Sequence, residues 1–137
     1  MSEQRNFILT CRQEHDENGA PEEFTTDLYD LVDVDDLSYL SSDGLPQIGT
    51  RVAPGMLLVG KVGAKKSDER SKWNELQLLT ANCQELQNYW RSRIYDGSLY
   101  APEGCTGAVV AAFFEPVGDR VQAVVEIECQ DALSDEP

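Results

Sequence analysis

The spacing of apolar residues changes twice along this 137-residue chain, and that change limits the folds open to it. In the middle, Trp73, Leu76, Leu79, Cys83, Leu86, Trp90 and Ile94 recur every three or four residues. This is a helical period and cannot describe a strand. On either side the period is two. Phe7, Leu9 and Cys11 share one face of an extended Asn6–Gln13. Val121, Ala123, Val125, Ile127 and Cys129 alternate with Gln122, Val124, Glu126 and Glu128. The pattern predicts an α+β fold that is mainly β, with one long helix or helical hairpin inserted into it.

Turn residues punctuate the β portion. Asn18-Gly19 followed by Pro21 marks a turn, Glu23–Thr26 reads as a short strand and Leu45–Ile48 as a short extended piece. Asp33–Leu40 reads as a short helix, with Asp33 as its cap and Val34, Leu37 and Leu40 at helical spacing. Ala53-Pro54-Gly55-Met56 has proline and glycine where a type II turn needs a fixed φ and a positive φ. A strand over Met56–Val62 leaves that turn, and Gly60 within it signals a bulge or a close backbone approach. Cys105–Glu115 and Val121–Cys129 read as strands joined by a hairpin loop at Pro116–Arg120.

The helical stretch has its own boundaries. Ser67 can cap it, Asp68 and Glu69 suit its positive end, Arg91 and Arg93 suit its negative end, and Asp96-Gly97 ends it. Unbroken, Asp68–Tyr95 would be roughly 40 Å long. Thr80 and Asn82 are weak points at which it can break. The boundaries give one domain over 1–137, with a β-rich body from 5–66 and 98–130, a helical insertion at 67–96 and a polar tail at 131–137.

Charge is placed unevenly. The formal net charge is −14. Eleven carboxylates and no Lys or Arg lie between Glu14 and Asp43, whereas eight basic and four acidic residues lie between Arg51 and Arg93. Duplex DNA binding across the whole surface is excluded, since phosphate affinity needs clustered Lys and Arg. The acidic run lacks the ligand order of a calcium loop and reads as a solubilising surface. Lys61, Lys65 and Lys66, with Arg51, Arg70 and Lys72, form a basic patch where strand gives way to helix. That patch is either ordinary solvated surface or a contact for a nucleic-acid backbone or an acidic partner.

Little in the chain points to catalysis or cofactors. Its single histidine, His15, sits in an acidic turn with no neighbouring nucleophile. No phosphate-binding loop, zinc-protease helix or nucleophile elbow is present. Cys11, Cys83, Cys105 and Cys129 form no Cys-x-x-Cys pair, so a zinc knuckle is unsupported. Reduced thiols in a cytoplasmic protein are the simplest reading, and a Cys105–Cys129 disulfide stays open. No apolar run is long enough to cross a membrane, and the N-terminus lacks a signal-peptide core. The expectation is a domain with no catalytic residues, no metal and no cofactor. The helical stripe either packs on the chain's own sheet or docks a partner. In the second case Trp73, Leu76, Leu79, Cys83, Leu86 and Trp90 form the face, with Trp73 and Trp90 as anchors.

Three collinear motifs carry a family resemblance. The stretch Ile48-Gly49-Thr50-Arg51-Val52-Ala53-Pro54-Gly55-Met56-Leu57-Leu58-Val59-Gly60-Lys61-Val62, preceded by Asp43-Gly44, resembles the flap region of the beta subunit of bacterial DNA-directed RNA polymerase. Pro21-Glu22-Glu23-Phe24-Thr25-Thr26-Asp27 is similar to the family's upstream Pro-Glu-Glu-Ile-Thr-x-Asp. Ala101-Pro102-Glu103-Gly104-Cys105-Thr106-Gly107-Ala108-Val109-Val110 is similar to its downstream x-Pro-x-Gly-x-x-Gly-x-Val-x. Met56 stands where the pattern has Asp, and Gly63-Ala64-Lys65-Lys66 where it has Thr-Pro-Lys-Gly.

The resemblance covers about residues 5–130 and implies an excised piece of a much larger bacterial, cytoplasmic chain. It implies a flap-type barrel-sandwich hybrid beside the RNA exit channel. Its helical tip would dock sigma factor region 4 and elongation or termination factors, with other polymerase subunits and nascent RNA close by. It implies nucleotidyltransferase activity for the whole polymerase only. Two other classes fit less well. One is a stand-alone interaction domain derived from the flap. The other is a biotinyl- or lipoyl-like carrier, which needs a lysine at an exposed hairpin tip, whereas Lys61 falls within an expected strand.

Overall fold

The alternating C-terminal segments form one long hairpin, and the rest of the body is arranged around it. In the computed structural model, which describes residues 5–28, 37–66 and 72–129, Gly107–Val117 is strand β8 and Arg120–Cys129 is strand β9. They pair antiparallel from Val117↔Arg120 to Gly107↔Cys129. The loop is tighter than the expected Pro116–Arg120, because Gly118 takes φ +63° at the turn. Strand β1 (Arg5–Arg12) pairs with β9, and the short β3 (Arg51–Val52) pairs with β8, giving the order β1-β9-β8-β3. The sheet curls into a half-barrel. Its inner face carries Cys11, Val109, Ala123, Val125, Ile127 and Cys129, which are buried as the two-residue period requires. Val110 sits at a register shift between Val109 and Ala111 and turns outward.

The turn at Ala53–Met56 closes as its sequence demands. Met56 N–H donates to the Ala53 carbonyl at 3.1 Å, and Gly55 takes φ +82°. The expected Met56–Val62 strand divides at Gly60. Strand β4 (Leu57–Val59) pairs with β7 (Leu99–Tyr100), while β5 (Lys61–Ala64) pairs with β2 (Glu23–Phe24) and β6 (Ile94–Asp96). A Cβ at Gly60 would collide with the Thr25 carbonyl oxygen. Gly60 N–H donates to Gly44 O, and its own carbonyl accepts from Thr25 N–H, both at 2.9 Å. Strand β4 is buried on both faces. Leu57 joins a small cluster with Leu28, Leu40 and Val62, and Leu58 and Val59 join the main core. Each such side chain contributes about 1.5–3 kcal/mol by leaving water.

Two helical expectations change. The first half of Asp33–Leu40 lies outside the described residues, and its described half, Leu37–Leu40, is a turn in which Leu40 bridges Pro46. The long helix is two short ones, α1 (Glu75–Thr80) and α2 (Cys83–Ser92). Ala81 closes α1, its N–H donating to Gln77 O, and Asn82 caps the start of α2. Its side chain accepts from Glu85 N–H at 2.8 Å, while the Glu85 carboxylate accepts from Asn82 N–H at 3.0 Å. Asn74 and Gln77 make the same reciprocal pair at the start of α1. An asparagine whose side chain satisfies free amides competes with continuing the helix, and here two capping boxes outweigh one unbroken ladder. The proposed cap at Ser67 and first-turn acids Asp68 and Glu69 lie outside the described residues.

Candidate functional site

The helical insertion has a small aromatic centre of its own. Tyr89, on α2, is its buried side chain. The Trp73 ring stacks on Tyr89 with centroids 4.4 Å apart at 22°, and Trp90 meets it edge-on at 5.0 Å and 71°. The Arg93 guanidinium lies 5.3 Å from the Tyr89 centroid, and the Tyr89 hydroxyl accepts from Trp73 N–H at 3.1 Å. Tyr89 lies off the 3.5-residue stripe, so periodicity did not single it out. The break at Ala81–Asn82 divides the stripe between two helices.

The proposed docking residues divide accordingly. Leu76 and Leu79 on α1 are 69% and 75% exposed. Cys83 is exposed, Leu86 half-buried, and Trp90 39% exposed despite its contact with Tyr89. Trp73 is half-buried against Tyr89. Of the whole stripe, only Ile94 packs against a core cluster of the body. The insertion is anchored through its ends: Lys65 N–H donates to Arg93 O at 2.8 Å, and β6 continues into the β2-β5-β6 sheet.

The basic patch is not a single surface. Lys65 and Lys66 are exposed, with their backbones tied to the Asn18–Gly19 turn region. Asn18 Nδ2 donates to Lys65 O at 3.0 Å, and Lys66 N–H donates to a Glu17 carboxylate oxygen at 2.7 Å. Arg51 and Lys72 are also exposed, and Arg70 lies outside the described residues. Lys61 is corrected: it is 5% exposed. Its ammonium lies 2.7 Å from Glu22 Oε1 and donates to Arg12 O at 2.7 Å. Strand β5 needs both faces covered, and Glu22 supplies the charge that lets a lysine stay there. Lys61 therefore offers nothing to a nucleic acid and is not the exposed lysine of a carrier domain.

Glu22 is the centre of that arrangement. Besides Lys61 it accepts from Tyr95 Oη at 2.6 Å and Glu14 N–H at 2.9 Å. Burial alone would raise its pKa, but the hydrogen bonds from Lys61, Tyr95 and Glu14 outweigh burial and hold it below the ordinary value of 4.5. Burial, then the hydrogen bond to the Glu22 carboxylate, raise the Tyr95 phenol well above its ordinary value. Gly97 packs on the Lys61 stem, where a Cβ would sit 2.8 Å from Cε. Glu22 and Lys61 both stand in the motifs quoted above, but their pairing leaves no mark in a linear pattern.

His15 is exposed, with its backbone in a bridge to Pro21. All four cysteines are free; Cys11, Cys105 and Cys129 are buried and Cys83 is exposed. Burial, helped by the adjacent Cys129 thiol, pushes Cys105 up to about 11. Among the described residues no group of His, Cys, Asp and Glu could hold a metal ion, and no helix is long and apolar enough to cross a membrane.

No protein-family model matches the chain. Curated relatives do. It is 38% identical over 91 residues to DNA-directed RNA polymerase subunit beta of Orientia tsutsugamushi, covering 66% of this chain and 6% of that protein. It is 36% identical over 104 residues to the subunit of the same name from Chlamydia pneumoniae, covering 76% of this chain and 8% of that one. For the Solibacter usitatus subunit the figures are 35% over 116 residues, 81% and 8%. The chain thus spans less than a tenth of the length of these relatives. Along the residues they share, this chain is a homologue of one segment of the beta subunit of DNA-directed RNA polymerase.

Proposed function

We propose that this chain is a flap-type module of an RNA polymerase beta subunit, whose helical insertion docks a transcription factor. The observation that carries this reading is the exposure of Leu76, Leu79 and Trp90 on a unit held by its own Tyr89 centre. Large apolar side chains left in water on a locally stabilised projection suit a partner's groove. On this reading the β-rich body, 5–66 and 98–130, is the barrel-sandwich support beside the RNA exit channel, and 67–96 is the tip.

Sigma factor region 4 is the first partner to test, with elongation and termination factors next. Other polymerase subunits hold the body in a cytoplasmic bacterial enzyme. Nucleotide transfer belongs to the whole polymerase, and this module needs no cofactor and contributes no catalytic group. Lys65 and Lys66, exposed at the base of the tip, are the cations available for a contact with nascent RNA; buried Lys61 has no part in it.

Titration calorimetry of this chain against sigma region 4 from the same organism tests the proposal. Saturable binding that Leu76→Ala with Leu79→Ala weakens at least tenfold, with the fold intact, supports a docking tip. Absence of binding to sigma and to elongation factors alike overturns it and leaves a flap-derived interaction domain with another partner.

A further inference from the structure

A recessed surface lies on the body, apart from the helical insertion. Gln13 just after β1, the Pro21–Phe24 segment that contains β2, Asp43, Phe114 of β8 and Val121 of β9 line an open cavity of about 480 Å³, a volume usual for ligand sites. Phe24 and Phe114 form its apolar side, with ring centroids 4.9 Å apart and planes inclined at 55°. Glu22, Glu23 and Asp43 also line it, and among the described residues no lysine or arginine does.

The polar groups differ in what they have left to offer. The Glu22 carboxylate is spent on Lys61, Tyr95 and Glu14 N–H. Gln13 is spent as well: Nε2 donates to Glu22 O at 2.8 Å and Oε1 accepts from Val121 N–H at 3.3 Å. The nearby Arg120 is paired with Glu14. Asp43 accepts from Ser41 Oγ and Leu45 N–H through one oxygen, Oδ1. Glu23 is exposed and forms no ion pair among the described residues. The cavity therefore presents aromatic surface beside two carboxylates, Glu23 and Asp43, that form no ion pair among the described residues. Five of its eight lining residues belong to the Glu14–Asp43 run, which contains no Lys or Arg.

We propose that this cavity receives an arginine side chain from a basic segment of a protein partner. Aromatic faces and carboxylates together suit a guanidinium. It stacks on rings and binds carboxylates through paired N–H groups, and it loses less hydration than an ammonium. The three-carbon stem suits the Phe24–Phe114 side. A second copy of this chain is a poor occupant, since two bodies of charge −14 repel. This inference rests on different residues from the docking tip and stands or falls apart from it.

The probe is the peptide acetyl-Ala-Leu-Arg-Leu-Ala-amide, titrated into isotopically labelled chain and followed by NMR. Its partner is the same peptide with neutral citrulline in place of arginine. Saturable shifts confined to Phe24, Phe114, Val121 and their neighbours are expected, with citrulline binding at least tenfold weaker. Glu23→Gln, at an exposed position, should weaken the arginine peptide by about fivefold, as for a partly exposed ion pair. Phe24→Leu, which keeps the site apolar, should weaken it by a similar factor. Equal binding of the two peptides overturns the proposal, as do shifts centred on α1 and α2 or an unchanged affinity in Glu23→Gln. Guanidinium ion alone, if it saturates the cavity as tightly as the peptide, overturns the partner-borne side chain.

Discussion

The Lys61 ammonium lies 2.7 Å from the Glu22 carboxylate, and both side chains are almost wholly buried. The contact joins β5 to the segment leading into β2, and Tyr95 from β6 and the Arg12 carbonyl from the end of β1 complete it. Four stretches far apart in sequence are thereby locked together by charge in the interior.

Removing one partner should be far worse than removing both. Lys61→Met alone leaves a buried carboxylate facing only Tyr95 and Glu14 N–H, and should cost about 3–5 kcal/mol in urea unfolding. Lys61→Met with Glu22→Leu should recover most of that loss. A double variant as unstable as the single one would show that the pair contributes net stability and is not merely balanced.

The same carboxylate predicts an acid limb. The folded Glu22 pKa lies below its ordinary value of 4.5, so protons bind the unfolded chain more readily. Its contribution is fully present above that ordinary value and is lost as pH falls through the lower folded one. Unfolding free energy should decline below about pH 4.5, and less steeply in the Lys61→Met, Glu22→Leu variant. Equal acid slopes in the two proteins would assign the limb to other carboxylates.

Asn82 sets the break between α1 and α2. Asn82→Ala removes the acceptor for Glu85 N–H and should destabilise the insertion by about 1 kcal/mol, seen as faster amide exchange across Cys83–Ser92. The hairpin β8-β9 should exchange as before, since it shares no hydrogen bond with that cap.

Tyr89→Leu should separate the two parts of the molecule. Trp73 loses its stacking surface and hydroxyl acceptor, so tryptophan emission should shift to the red. The β-sheet far-ultraviolet signal and the main unfolding midpoint should change little. A large fall in that midpoint would mean that the insertion and the body unfold as one unit.

At Gly60 the backbone comes so close to Thr25 that no side chain fits. Gly60→Ala should cost about 1–3 kcal/mol, as overpacking does, whereas Gly49→Ala, where a Cβ would meet nothing, should cost less and only through its positive φ.

Local patterns determined much of this protein. Alternation over 121–129 gave β9 and its buried face, Pro54-Gly55 gave the turn, and Gly60 marked the close approach, because each depends on residues within a few positions of one another. Over 73–94 the same logic left two outcomes open, one helix or a break near Asn82, and the break is what forms. Spacing predicts which residues share a face if a helix continues, but a capping asparagine can end it, and the competition is decided by hydrogen bonds that hydrophobic periodicity does not register. Tertiary structure alone decided which charges are spent and which remain. Lys61 reads as one basic residue among several, and only the folding of β5 against Glu22 removes it from the surface. Glu23, its neighbour's neighbour across the ladder, stays in solvent beside Phe24 and Phe114. Burial and pairing depend on contacts between residues distant in the chain, and for that reason both the interior lock and the cavity beside it became visible only in three dimensions.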